Sequence, residues 1–411
     1  MLESDIEDHY QDIDSVKVTG PYTVEIRMSA YHAGALHDFT IGILPMHLLE
    51  GETINNTDFN RAPIGTGPYR FVSWDTVSGK ITLEKNQAYY GTAPQIQTIE
   101  YLTVETDEER SSLLKEQAAD LALLCPVEAE EFREQSGFTN YEIDSCKFLS
   151  LRMNFASPFW EKNSDSIRVL NYAVDKSAIV KNILKGHGTS AVSPAQKLLH
   201  LSNDTKEFSC MYNMDSFASG MQALGWERGE DGIYTRDGEP FSFQVFVDTE
   251  DSVCMDVAKM VALQLKSAGI QMQISNTVTS SDPEFIYDGY ITQQAVAGTL
   301  DDLYSQYHSE GSANDTGYSN ERIDTILTAA RREKDSKKRQ KIYENFAKSY
   351  NKTPGEVLLA YVENTYVAVS GLNGISSQRM LGHDSADIFW NVAGWSITKT
   401  KNDKGRERYT N

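Results

Sequence analysis

With 411 residues, 40% apolar and 24% charged, the chain has a globular composition and the length for two lobes of roughly 150 to 200 residues each. Its 59 acidic against 38 basic side chains leave a formal charge of −21, which repels phosphate backbones and anionic headgroups and argues against nucleic acid as a partner. Cysteines at 125, 146, 210 and 254 form no CxxC pair, so no zinc knuckle or redox motif is encoded, while one or two disulfides and buried free thiols both stay open.

The opening residues Met1 to Asp5 are acidic and lack the basic and apolar regions of a secretory signal, so none is expected here. No apolar run approaches the roughly 20 residues of a membrane-spanning helix. From Val16 to Met28 the alternation of Tyr22, Val24, Ile26 and Met28 with polar neighbours predicts one half-buried strand. Lys80 to Lys85 and Ile99 to Val104 read as further strands, Glu108 to Ala119 and Glu128 to Glu134 as helices, and 148–155 as a strand leaving this region. A lobe boundary is placed near 147, because Ile167, Leu170, Val174 and Ala178 then introduce helical spacing.

The clearest local unit spans Phe241 to Ile274. Alternating Phe241, Phe243, Val245 and Val247 predict a strand, and Val257, Met260, Val261, Leu265 and Ala268 a helix. Gly269 ends that helix before Ile270, Met272 and Ile274 resume alternation, which makes a βαβ unit and predicts a parallel sheet in an α/β fold. Asn320 is an expected N-cap for a helix through Ile323, Ile326, Leu327 and Ala330; a second helix follows the charged run 331–339, and 357–369 returns to strand.

Catalytic motifs are missing. The eight histidines include no HxH or HExxH pair, and neither a GxSxG elbow nor a GxxxxGK[ST] loop occurs. Gly186 to Ala191 matches the form of a dinucleotide loop but follows a helix where that loop must follow a strand, so it reads as a turn. No enzyme activity, cofactor or metal is expected.

Residues 62–90, Ala-Pro-Ile-Gly-Thr-Gly-Pro-Tyr-Arg-Phe through Glu-Lys-Asn-Gln-Ala-Tyr-Tyr, resemble the signature of the oligopeptide, dipeptide and nickel-chelate binding proteins of ABC importers, the family 5 extracellular solute-binding proteins. Three further stretches resemble that family in its order: Ile167 to Gly188, Ala223-Leu-Gly-Trp226, and Tyr307 to Arg332 with His-Ser-Glu-Gly and Tyr-Ser-Asn. The resemblance implies a two-lobed periplasmic-binding-protein-like (type II) α/β fold with a ligand cleft between the lobes, closing on its solute. It divides the chain into 1–147 as lobe 1, rejoined by 366–411, and 148–365 as lobe 2, containing the βαβ unit 241–274. The Gly65-Thr-Gly-Pro68 segment is expected to build the fold and not to hold ligand.

By the same resemblance the protein is the extracytoplasmic binding component of an importer, periplasmic or lipid-anchored at the outer face of the membrane. It would be monomeric, with a peptide or peptide-like solute and the permease subunits as partners. A nickel-chelate binder and a ligand-sensing receptor of the same fold are the alternatives. The family's signal and opening segment are not recognised before residues 1–15, so the sequence is expected to be a truncated form. Aligning Gly289 to Asp301 with the loop that carries an ammonium-pairing aspartate in peptide binders places Val296 at that aspartate, which implies a ligand other than a simple free-amino peptide. Candidate ligand residues are Tyr290, Gln293 and Gln294 in this loop, with Arg152 and Asn154 on the crossing strand: an aromatic ring, amides, and a guanidinium suited to a carboxylate.

Overall fold

The computed structural model describes residues 7–53, 57–201, 211–249, 251–276, 286–296, 299–377, 385–401 and 407–409. In chain order the elements are α1 (Glu7–Tyr10), β1 (Ile13–Gly20), β2 (Thr23–Met28), α2 (Ala35–Asp38), α3 (Met46–Leu49), β3 (Tyr69–Trp74), β4 (Ile81–Lys85), β5 (Thr98–Tyr101), α4 (Asp107–Lys115), β6 (Leu121–Leu124), α5 (Pro126–Glu130), β7 (Phe138–Ile143) and β8 (Lys147–Met153). There follow α6 (Pro158–Asn163), α7 (Ile167–Ala173), α8 (Lys176–Asn182), β9 (Gly188–Ser190), α9 (Gln196–Leu199), α10 (Met214–Ala223), the short strands β10 (Glu227–Arg228), β11 (Tyr234–Arg236) and β12 (Glu239–Pro240), then β13 (Ser242–Phe246), α11 (Ser252–Ala268) and β14 (Gln271–Ser275). The series continues with β15 (Gly289–Ala295), α12 (Asp302–Tyr307), α13 (Glu321–Arg332), α14 (Ser336–Tyr350), β16 (Glu356–Val362) and β17 (Asn364–Val369).

The chain divides into two compact units, one of residues 1–40 with 145–362 and one of 41–144 with 363–411. Residues 7–40, grouped in sequence with 41–147, thus pack within the larger unit, for the ionic reasons given below.

The larger unit is built on a six-stranded sheet in the order β14-β13-β15-β8-β16-β9. The expected βαβ unit is present: β13 and β14 run parallel, Val245 opposite Ile274, with α11 crossing between them. β13 also pairs parallel with β15, whereas β8 is antiparallel to both β15 and β16. Helices cover both faces, so the central strands are buried on both sides, and all seven residues of β16 are buried. On one face Leu149, Leu151 and Met153 pack with Trp160, Phe243 and Val261; on the other Phe148, Leu358 and Tyr361 pack with Leu327 and Phe346.

The smaller unit holds two antiparallel three-stranded sheets, β3-β4-β5 and β6-β17-β7. Its core includes Ile143, Tyr366, Leu372 and Trp395.

Local differences from the sequence reading have simple causes. The stretch 16–28 is a hairpin, because Gly20-Pro21-Tyr22 turns the chain and pairs Val18 with Val24, and most of its residues are exposed. The helical run from Ile167 breaks at Val174, where Asp175 leaves helical geometry and accepts a bond from the Ala178 N–H to cap α8. The run 357–369 forms two strands, β16 and β17, one in each unit. Asn320 caps α13 as expected, accepting from the Arg322 and Ile323 N–H groups. Cys125 and Cys254 are free thiols, and Cys210 lies outside the described residues.

Gly269 ends α11 at φ +95°, and a Cβ there would stand 2.4 Å from the Gly232 carbonyl oxygen. The left-handed cost for an L-residue is about 1–2 kcal/mol, and the contact adds to it. Gly269→Ala is therefore expected to lower the unfolding free energy by at least about 2 kcal/mol in urea titration; a loss below 0.5 kcal/mol, on the order of a neutral surface change, would refute this account of the cap.

Candidate functional site

All five candidate residues lie in the larger unit, around the pairing of β15 with β8. Tyr290 stands directly opposite Arg152, and Glu356 of β16 opposite Arg152 on the other side, so the three side chains share one face of the sheet. Gly289 precedes Tyr290 because β15 and β8 approach too closely there for a side chain: a Cβ would lie 2.6 Å from the Arg152 carbonyl oxygen. Asp288 fixes the start of β15. Its backbone carbonyl accepts from the Asn154 N–H at 2.9 Å and from Trp160 Nε1 at 2.6 Å, and its carboxylate accepts from Ser157 and the Gln244 N–H.

The guanidinium of Arg152 grips Asp315 with both terminal nitrogens, Nη1 at 2.9 Å. Burial alone would lower the Arg152 pKa, but Asp315, helped by the charge of Glu356, raises it above the ordinary guanidinium value. The Asp315 carboxylate is 68% exposed, so this ion pair opens to solvent on one side. Tyr290 is partly buried; burial, then the charge of Asp315, raises its hydroxyl pKa, while Arg152 and a bond with Asn154 oppose the rise. Phe246 and Tyr287, not anticipated from sequence, extend the aromatic surface, with ring centroids 5.4 Å apart and Phe246 6.5 Å from Tyr290.

The remaining candidates have structural partners. Asn154 donates to the Tyr287 carbonyl at 2.9 Å and accepts from the Ala156 N–H at 3.1 Å, holding the chain as it leaves β8. Gln293 donates to Asp251, the residue that caps α11. Gln294 donates to Ser150 at 2.6 Å and to Glu356 at 2.8 Å. Glu356, buried at 3% exposure, also accepts from the hydroxyls of Tyr307 at 2.8 Å and Tyr350 at 3.1 Å. Burial, then the neighbouring carboxylate, pushes both tyrosine pKa values well up, so these hydroxyls remain donors. Val296 is 1% exposed and packs in the core with Leu303 and Phe346; the rest of that loop, 297–298, lies outside the described residues.

The motif residues hold the fold together. Asn86 donates to the Gly67 carbonyl at 2.9 Å while its N–H donates to the Pro68 carbonyl at 2.8 Å, which closes the Gly-Thr-Gly-Pro turn onto the end of β4. Trp226 stacks on Phe241, centroids 4.4 Å apart. Ser309 donates through its N–H and hydroxyl to Asp324, at 2.9 and 2.8 Å. Elsewhere, the smaller unit has a cavity of about 590 Å³ lined chiefly by apolar residues including Ile99, Leu121, Tyr366 and Trp395, and none of the five candidates reaches it.

This fold is that of the two-lobed periplasmic binding proteins. The model of the bacterial extracellular solute-binding proteins, family 5, matches residues 3–318, and the chain belongs to that family. Protein XP55 of Streptomyces lividans is 29% identical over 344 residues, 82% of this chain and 62% of its own length, so the chain spans less than two thirds of that relative. The oligopeptide-binding protein AppA of Bacillus subtilis is 25% identical over 95% of this chain and 73% of its own. Among solved structures, NikZ from Campylobacter jejuni in complex with Ni(L-His) superposes with a TM-score of 0.85 at 26% identity, covering 96% of this chain and 80% of that one. AppA of Bacillus subtilis in complex with a nonapeptide superposes at 0.81 and 21% identity, covering 95% and 79%, and supports the fold.

Removing the Glu356 carboxylate would orphan the buried hydroxyls of Tyr307 and Tyr350 and take one of two acceptors from Gln294. Glu356→Leu is expected to cost about 3 kcal/mol or more of stability by chemical denaturation, with Glu356→Gln milder because an acceptor oxygen survives. Equal stability of Glu356→Leu and the parent would contradict the hub role.

Proposed function

We propose that this chain is the solute-capturing component of an ABC importer, working outside the cytoplasm and delivering a peptide or peptide-like solute to permease subunits. The observation that carries this reading is the pairing of Tyr290 and Arg152 at the end of β15 and β8, an aromatic ring beside a largely buried guanidinium whose carboxylate bonds, among the described residues, run to a largely exposed Asp315. A solute carboxylate can replace Asp315 on that fork, and a peptide plane or side chain can lie on Tyr290 and Phe246. AppA with its nonapeptide and the glutathione-binding protein GsiB of Pectobacterium atrosepticum, 24% identical over 81% of this chain, fit a peptide-like ligand. Among the described residues no helix is long and apolar enough to cross a membrane, which is compatible with a binding component served by separate permeases. Anchoring by lipid and a monomeric state belong to the same reading.

Two of the five candidates, Tyr290 and Arg152, carry the ligand in this reading; Gln294 and Asn154 support them from the same face, while Gln293 lies on the opposite face against Asp251. With Val296 buried at the position aligned with the ammonium-pairing aspartate, the solute is not held by that clamp. The structural likeness to NikZ with its Ni(L-His) supports a second reading, a metal chelate whose carboxylate takes the same fork.

Thermal shift and calorimetry with a panel of free peptides, N-acetylated peptides and nickel–histidine separate these readings. A peptide with a free C-terminal carboxylate is expected to stabilise the protein, and N-acetylation to leave affinity within a few-fold. Arg152→Ala should weaken binding by about 1.5–3 kcal/mol, roughly ten- to hundredfold, the worth of a hydrogen bond to a charged group. Unchanged affinity in both Arg152→Ala and Tyr290→Ala would place the ligand elsewhere.

A further inference from the structure

Residues 7–40 are held on the larger unit by a mostly buried ionic cluster, beside backbone bonds such as that from the Ala33 N–H to the Arg331 carbonyl. Arg331 of α13 reaches Asp8 of α1 at 3.1 Å and Asp301 at 3.0 Å, and Arg332 pairs with Asp12. His32 Nε2 stands 2.7 Å from Asp301 and 3.6 Å from Asp38 Oδ2, the latter a buried oxygen with no hydrogen-bond partner among the described residues. His9 is central. Its Nδ1 lies 2.8 Å from Asp38 Oδ1, and its Nε2 lies 2.9 Å from the Ser305 hydroxyl.

Proton counting fixes the state of that ring. Ser305 Oγ lies 3.0 Å from both carboxylate oxygens of Asp8, which also accepts from Ser312. A hydroxyl has one proton and a carboxylate only accepts, so Ser305 gives its proton to Asp8 and can only accept from His9. Asp38 likewise accepts. Both ring nitrogens of His9 are then donors, which is the imidazolium form.

Charge points the same way. Around His9 stand three carboxylates, Asp8 from its own helix, Asp38 from α2 and Asp302 at 3.9 Å from Nε2, while Asp301 lies on His32 and Arg331. Arg331 of α13 is the guanidinium facing them, with the rings of Tyr10, His32, His37, Tyr304 and His308 completing the titratable surroundings. One guanidinium leaves the cluster short of positive charge, and such buried carboxylates need a paired cation.

We propose that His9 is a proton-operated latch, closed as imidazolium, that clamps residues 7–40 to the larger unit and releases them when it loses its proton. Asp38 lies two residues before the chain leaves that unit at residue 40, so the latch anchors one of the chain's passages between units.

Burial opposes the charged ring, but the Asp38 bond and the charges of Asp38, Asp8 and Asp302 outweigh it and raise the His9 pKa. A raised folded value means the clamping is fully present below the ordinary histidine value near 6.5 and is lost as pH climbs through the raised one.

Hydrogen–deuterium exchange of the whole protein between pH 5.5 and 9, corrected for intrinsic rates, tests this. Peptides over 7–12 and 35–40 should lose protection above the His9 pKa, by up to tenfold per pH unit, while β8 and β16 hold theirs. Nitrogen-15 spectra of histidine-labelled protein at pH 6.5 should show one imidazole, assigned by its loss in His9→Gln, with both nitrogens protonated. If His9→Gln does not fold, the exchange profile of the wild-type protein decides alone. PH-independent protection of 7–40, or a neutral His9 ring at pH 6.5, overturns the latch.

Discussion

Burial of β8 on both faces is the constraint on which the larger unit rests. A strand covered by helices on each side has little solvent face, so its positions must either pack or find a polar partner. Leu149, Leu151 and Met153 satisfy this on one side. On the other, Phe148 packs, while Ser150 and Arg152 are satisfied by Gln294, Asp315 and the neighbourhood of Glu356. The candidate site is the place where that polar row runs out to solvent: the same register that buries Glu356 brings Arg152 and Tyr290 to its open end.

This explains an apparent paradox of the amino-acid sequence. Its most recognisable segments, the Gly-Thr-Gly-Pro turn with Asn86, Trp226, and the Ser309–Asp324 pair, all make internal bonds. Such residues are constrained in type and spacing because a turn or cap has few chemical solutions. Ligand-facing positions such as Tyr290 have many, and a motif marks them poorly.

Periodicity and capping made the βαβ unit, β4, β8 and α13 legible in advance, because each is long or bounded by a chemically specific signal such as Gly269 or Asn320. The 16–28 hairpin looks like one strand in sequence because Tyr22 keeps the alternation going through its turn. Five polar residues could be named for the site, but which bond inward is decided by cross-strand register: Gln294 meets Ser150 and Glu356 only once β15 and β8 are aligned. Phe246, Tyr287 and Asp315 carried no sequence signal. The packing of 7–40 onto α13 is equally hidden, since it depends on charges 323 and 320 positions apart, Arg331 meeting Asp8 and Arg332 meeting Asp12.

Native mass spectrometry of the protein as purified tests the central claim, solute capture on the Arg152–Tyr290 face, most directly. The account predicts adducts in the mass range of short peptides or amino-acid conjugates, retained under native conditions, shed on denaturation, and carrying an amide or carboxylate when fragmented. A cooperatively folded protein that carries no such adduct and takes up none from a peptide pool, or that holds a solute with neither group, would contradict it.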